Sequence, residues 1–444
     1  MAHQPPDTPP VAGGLAYRLL RRVIAVEPEE AGVLFWCWLY IFAVLSSYYI
    51  MRPIRDQMGI AGGVRNLQWL FTGTLIGMIV LNVPFAWLVK RLPRERFIPL
   101  TYRFFAVNIL IFAVLLHFAD EAQTVWIGRV FFIWVSVYNL FVVSIFWQLN
   151  VDLFSPEQGK RLFGFIAAGA TLGAIVGSSL TASLATVVPP MVLLIGAAVL
   201  LEVAVFAVAR LARLSPSLSQ RAEANPERPI GGSVFAGVAN AFRSPYLVNV
   251  SLFVLLFAIS STFLYFQQAA IVKTSFADRG AQTAFFATID LLVNVLTLGV
   301  QLFLTGRIVM WLGVAVTLAL LPAATILGFG VLGAMPTIGV LAVFQVLRRA
   351  GDYAIARPTR EILFTVVPRE DRYKAKAFID TVVYRFGDQL GAWTVAALIG
   401  FGPAEVALVA AGLAAVWLIN ALWLGRRQEL LEAMPAATAA RSRP

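Results

Sequence analysis

The chain has 444 residues, of which 59% are hydrophobic and 13% charged. Soluble domains carry about 25% charged residues, so this is the composition of an integral membrane protein, in which apolar spans rather than soluble domains set the architecture. One cysteine (Cys37) and two distant histidines (His3 and His117) exclude an intrachain disulfide and leave no basis for a metal centre or bound cofactor, and the net charge of +11 reads as basic loops that fix membrane orientation rather than as a nucleic-acid surface.

Residues 1–14 are polar and Pro-rich, without the apolar core and small-residue cleavage site of a secretory signal. Residues 15–26 read equally as an amphipathic helix on the membrane surface or as a frayed tail. Apolar runs of about 20 residues predict helices over 31–51, 67–89, 97–118, 125–150, 162–185 and 189–211, then over 246–268, 282–304, 308–332, 336–357, 376–400 and 404–425. The expected domains are a cytoplasmic N-terminal segment (1–30), a six-helix bundle (31–211), a cytoplasmic linker (212–245) marked by Pro216, Pro226 and Pro229, a second six-helix bundle (246–425) and a cytoplasmic tail (426–444). Most of the 35 Lys and Arg then fall on one side, which places both termini in the cytoplasm of a bacterial inner (plasma) membrane.

The halves repeat. A shift of 214 residues lays Gln68, Phe71 and Thr74 on Gln282, Phe285 and Thr288, and Lys160, Gly173 and Gly177 on Lys374, Gly387 and Gly391. The two Gly-x-x-x-Gly pairs suit helices that approach a neighbour closely. The expected fold is all-α, with twelve transmembrane helices in two six-helix repeats, on the major-facilitator plan.

Three charged groups interrupt this apolar background, where an isolated charge costs roughly 2.5–3.5 kcal/mol on insertion scales. Tyr48-Tyr49-Ile50-Met51-Arg52-Pro53-Ile54-Arg55-Asp56 is placed at the outer end of helix one; it reads equally as a ring-stacking, anion-pairing site or as an aromatic belt with loop charges. Asn150, Asp152, Glu157, Lys160 and Arg161 follow helix four as an inner-face gate or a solvated loop. The third group runs from Arg348, Arg349 and Asp352 through Arg357 and Arg360-Glu361 to Lys374, Lys376, Asp380, Arg385 and Asp388. Asp352 lies four residues from Arg348 and three from Arg349, so it is expected to neutralise one of them across a helical turn, leaving positive charge deep in helix ten. That surplus suits an anionic solute; the other reading is a self-cancelling network that holds helices ten and eleven together. Glu202 and Asp290 stand alone in their helices as coupling sites or as partners of a neighbouring helix, Asp290 being the better placed.

These motifs resemble the ATP/ADP translocase (nucleotide transporter) family. The family's Arg-Asp-Thr-Lys-Asp is similar to Arg52-Pro53-Ile54-Arg55-Asp56, its Glu-Ala-Lys-Arg-Phe to Glu157-Gln158-Gly159-Lys160-Arg161, and its Pro-Thr-Lys-Glu to Pro358-Thr359-Arg360-Glu361. Its Lys-x-Lys-Ala-Ala-Ile-Asp resembles Lys374-x-Lys376-Ala377-Phe378-Ile379-Asp380. The resemblance implies a facilitator-like carrier, with Arg55 and Arg360 facing phosphate and Glu361, Lys374 and Lys376 in an inner-side motif. Asp388 stands where the family has lysine, and an anion would tolerate it only beside a cation. The sequence therefore predicts a secondary transporter, not an enzyme, that moves a small anionic solute of nucleotide type by exchange or ion coupling. A proton-coupled facilitator and a non-transporting scaffold are the alternatives. The expected binding residues are Tyr49, Arg52, Arg55, Asp56, Arg357, Arg360 and Glu361. The expected gating residues are Asp152, Lys160, Arg161, Asp290, Asp352, Lys374, Lys376, Asp380, Arg385 and Asp388. Lipid is the only other partner called for, and a monomer suffices.

Overall fold

Helix one runs well past the point where its hydropathy falters. In the computed structural model, which describes residues 26–92, 94–214, 244–367, 375–398 and 400–433, α1 spans Pro28–Ala61 and carries Pro53 inside it. Proline in a helix interior costs one backbone hydrogen bond but does not end a helix whose neighbours hold it in place. The sequence reading stopped this helix too early, so Arg52, Arg55 and Asp56 lie within the bundle rather than in an outer loop.

The chain continues through α2 (Leu67–Arg91), α3 (Arg94–Phe118), α4 (Glu121–Leu153), α5 (Pro156–Leu184) and α6 (Pro190–Leu214). After residues that lie outside the described part come α7 (Pro245–Ser275), α8 (Arg279–Phe303) and α9 (Thr305–Ala334). α10 begins as Ile338–Gly351, passes through a π-helical turn at Asp352–Ala356 and resumes as Arg357–Ile362. α11 likewise passes from 375–378 through a π turn at Ile379–Val383 into Tyr384–Ala397, and α12 is Pro403–Ala433. Ten of these helices are long and apolar enough to cross a membrane; α10 and α11, each broken by its π turn and each carrying charge, complete the twelve. No strand occurs among the described residues. Side chains such as Val83, Phe104, Phe206, Leu327 and Ile419 are exposed on the outside of the bundle, as a lipid-facing surface requires. The linker (but for its ends), the far C-terminal tail, most of 15–26 and Lys374 lie outside the described residues.

The repeat inferred from the sequence has a structural counterpart in how the glycine pairs pack. A Cβ on Gly177 of α5 would stand 2.5 Å from the carbonyl oxygen of Ser46 on α1, and Ser46 Oγ donates to the Gly173 carbonyl at 3.0 Å. In the second half, a Cβ on Gly387 or Gly391 of α11 would stand 3.0 Å from Leu255 O or 3.1 Å from Ile259 O of α7. Each half thus presses its fifth helix onto its first through the same small-residue seam. The first half adds a buried relay, in which Tyr40 donates to Tyr102 at 2.7 Å and Tyr102 donates to the Val142 carbonyl at 2.8 Å. The second half packs Phe253, Phe257 and Trp417 together.

The two ends of the bundle differ. At the end where α1 begins and α12 finishes (the base), Glu30 is buried, accepts from its own cap at Glu27 N, and ties α1 to α5 through Arg161 Nη2 at 2.9 Å and Gln158 Nε2 at 2.8 Å. Breaking a buried pair by removing one partner costs about 3–5 kcal/mol. Glu30→Ala is accordingly expected to lower the thermal unfolding midpoint sharply, and Glu30→Gln, which keeps the Gln158 contact, less so. At the opposite end (the crown) the halves meet: Trp69 and Trp393 pack edge to face at 4.9 Å, Trp393 Nε1 donates to Thr72 Oγ1 at 3.2 Å, Thr72 donates to Gln389 at 3.0 Å, and Arg279 faces Glu121 at 3.7 Å. Ile60, Leu67, Leu70 and Phe132 share one apolar core there with Phe263, Phe266 and Phe344. The crown is closed by contacts between halves.

Candidate functional site

Beneath the crown, α1, α2 and α4 of the first half face α7, α8, α10 and α11 of the second across a cavity of about 290 Å³. Its lining gathers charge from both halves. Arg52, Arg55 and Asp56 come from α1, Asp290 from α8, Arg348, Arg349, Asp352 and Arg357 from α10, and Arg385 and Asp388 from α11. Six guanidinium groups against four carboxylates leave a surplus of two positive charges. Rings from both halves, among them Tyr48, Phe71, Phe132, Tyr265, Phe286 and Tyr353, form the apolar walls.

Most of the charge is paired. Arg55 meets Asp56 Oδ1 through Nη2 at 2.7 Å, stacks over Phe132 at 4.7 Å and donates from Nη1 to Ser136 Oγ at 3.3 Å, while Tyr265 of the other half donates to the same Asp56 oxygen at 3.0 Å. Arg349 and Arg52 both reach Asp290 Oδ1, at 2.6 and 3.3 Å. Arg385 meets Asp388 at 3.1 Å, and the Thr262 hydroxyl approaches that carboxylate at 3.5 Å. The cation that Asp388 was expected to need is therefore Arg385.

The π turn redirects Asp352. Instead of neutralising Arg348 or Arg349 across an α-helical turn, as the spacing predicted, it meets Arg357, one π turn later, at 2.9 Å. Arg348 is left with neutral partners: Ser260 Oγ at 2.9 Å, Ser261 Oγ at 3.0 Å, Thr325 Oγ1 at 3.3 Å, the Phe257 carbonyl at 3.4 Å and the Phe257 ring at 5.2 Å. It is 3% exposed, so its charge is out of water without a carboxylate in contact. Nearby, Gln345 donates to Gln268 across the same wall.

Several sequence-based expectations fall elsewhere. Tyr49 does not line the cavity; it is buried behind it with its ring 5.6 Å from the Arg52 guanidinium, and Tyr48 takes the lining position. Arg360 and Glu361 sit toward the base rather than in the cavity, Arg360 meeting Asp380 at 3.1 Å and Glu361 meeting Lys376, because the short helix after the π turn carries them past the cavity wall. Asp352, expected at a gate, is in the cavity. So is Asp290, which is no lone carboxylate. Asp152 closes α4 at the base, and Arg161 belongs to the Glu30 cluster. Lys160 lies on α5, but its side chain falls outside the described residues, as does all of Lys374. Glu202 faces Arg103 at 3.6 Å on the exposed surface, far from the cavity lining. Sequence reading noted Arg348 and Arg349 but did not make them site residues; their adjacency to a carboxylate suggested cancellation, and only the helix phase after Gly351 shows otherwise.

No protein-family model matches the chain. Compared with curated proteins, it is 21% identical to ADP,ATP carrier protein 1 of Chlamydia trachomatis serovar D, over 89% of this chain and 90% of that protein. The chain is related to the ADP,ATP carriers. The similarity runs through both halves, as the motif resemblance implied. Among solved structures, the nucleoside transporter NupG superposes with a TM-score of 0.60 at 14% identity, covering 90% of this chain and 99% of that one. A bacterial homologue of the iron transporter ferroportin in an inward-facing state gives 0.62 at 13% identity, covering 89% and 98%. The structural likeness establishes the major-facilitator-like fold of this chain. The curated relatives are carrier proteins, not enzymes.

Proposed function

We propose that this protein is a secondary transporter of the bacterial inner membrane that moves an anionic, nucleotide-type solute by alternating access, through exchange or ion coupling. Arg348 carries the reading. A buried guanidinium whose hydrogen-bond partners are all neutral is costly unless an anion completes it, and this one lines a cavity with a net surplus of positive charge between two halves that can separate. Aromatic walls beside the arginines suit a solute with a ring and a phosphate. With both termini in the cytoplasm, the base is the inner side, and closure at the crown makes this an inward-facing arrangement. Solute would shift the balance between outward and inward states through the contacts it makes in one and not the other. A proton-coupled facilitator that uses Asp290 or Asp388 fits less well, since Arg52 and Arg349 already contact the first and Arg385 the second.

Purified protein in proteoliposomes, offered labelled ADP, AMP, phosphorylated sugars and dicarboxylates with and without internal counter-solute, tests this. Uptake of an adenine nucleotide is expected. Arg55→Ala and Arg357→Ala should raise the half-saturating concentration at least about tenfold, the loss of one close charge contact. Arg360→Ala, at the Asp380 pair outside the cavity, should slow the maximal rate and leave half-saturation nearly unchanged. Uptake of neutral solutes only, indifferent to all three changes, would sink the proposal.

A further inference from the structure

Among the described residues of the cavity, Asp290 alone is shared by two guanidinium groups. Arg349 belongs to its own half, whereas Arg52 comes from α1 of the other half, so the Arg52–Asp290 contact at 3.3 Å is an ionic tie between halves. It lies below the crown contacts and beside the second polar tie, Tyr265 to Asp56 at 3.0 Å. Asp290 is 2% exposed, its Oδ1 takes both arginines, and its buried Oδ2 has no hydrogen-bond partner. A carboxylate fixed for structure alone would be expected to use both oxygens on two such forks, since guanidinium and carboxylate match bidentately. One-oxygen sharing leaves each arginine with free donors facing the cavity.

We propose that Asp290 is an internal stand-in for the anionic group of the solute: it occupies Arg52 and Arg349 in the empty carrier, and solute must displace it to bind. This rests on the preceding reading of the cavity as an anion site. Two consequences follow from the charges. A tethered carboxylate competes at high effective concentration, so an incoming monoanion replaces like with like and gains nothing. A group with two or more charges can engage Arg52 and Arg349 together and reach the surplus of Arg348 as well. Asp290 thus sets a charge threshold that favours phosphate and phosphoanhydride groups over monocarboxylates. Displacing it also releases Arg52 from the opposite half, which couples solute binding to loosening beneath the crown.

The test uses labelled ADP uptake into proteoliposomes, with inorganic pyrophosphate and acetate as competitors. In the wild-type protein pyrophosphate competes and acetate does not. In Asp290→Asn, acetate should compete at about tenfold lower concentration, and Asp290→Glu, which keeps the charge, should behave as wild type. Acetate competition in Asp290→Asn no stronger than in wild type would overturn the threshold. A second measurement needs no solute. Spin labels on the exposed crown positions Val187 and Met335, one in each half, should report longer and broader distances in Asp290→Asn and in Arg52→Gln than in wild type. Unchanged distances in Arg52→Gln would overturn the tie, including where Asp290→Asn does not fold. Failure of wild-type ADP uptake would count against the anion reading of the cavity, and the label distances would still decide the tie.

Discussion

Arg348→Met is expected to reduce anion uptake about a hundredfold while leaving the protein as stable as wild type or more so. Truncating one partner of a buried charge contact costs roughly 2–5 kcal/mol of binding, and each 1.4 kcal/mol is about tenfold. The stability half of the prediction follows from the partners. Ser260 and Ser261 already donate to the Phe257 carbonyl and Thr325 to the Leu321 carbonyl, so removing the guanidinium leaves none of the three hydroxyl donors orphaned. An apolar side chain of similar volume replaces a buried charge that no carboxylate contacts, a change that is often neutral or stabilising. Uptake in proteoliposomes and thermal unfolding in detergent read the two effects separately. Retained uptake with a lower unfolding midpoint would make Arg348 a structural residue and remove the main support for an anion site.

That opposition of function and stability was not legible in the sequence, although much else was. Hydropathy showed the number and order of the spans, because a bilayer demands about 20 apolar residues from each helix whatever the tertiary packing. The internal shift that pairs Gly173 with Gly387 and Gly177 with Gly391 showed the repeat, because a seam of close backbones admits little else. Motifs around Arg55-Asp56 and Pro358–Glu361 carried the relationship to the ADP,ATP carriers. Helix phase was the missing quantity. Hydropathy ends helix one at residue 51 although α1 continues to Ala61, and spacing arithmetic from Arg348 to Asp352 does not anticipate the π turn that begins at Asp352 and sets Arg357 beside it. One inserted residue of phase brings Arg357 onto Asp352 and carries Arg360 out of the cavity. The residues were visible; their partners depended on backbone geometry that local composition does not encode. π turns recur at functional positions for this reason, since they re-aim side chains without breaking the helix.

The glycine seam yields the other large effect. Gly177→Val is expected to abolish folded yield, because its Cβ would sit 2.5 Å from the Ser46 carbonyl oxygen, a backbone atom that cannot rotate away. Relief requires α5 to move off α1 along a stretch that also holds the Ser46–Gly173 hydrogen bond. Ordinary overpacking of a core costs about 1–3 kcal/mol, and here the added carbons meet the Ser46 main chain itself. Gly391→Val should act alike, since the corresponding Cβ would meet Ile259 O and the Thr262 Cβ of α7. Gly196→Ala on α6, where a Cβ meets nothing within 4 Å, is the control and should leave yield unchanged. Both seams lie inside a half, not between halves, so the loss should appear in membrane-inserted yield and unfolding midpoint, measured by fluorescence-detected size exclusion and thermal melts. If Gly177→Val instead folds at wild-type yield and slows only the transport rate, then α5 slides on α1 during the cycle, and the halves are not the rigid units that alternating access between them requires.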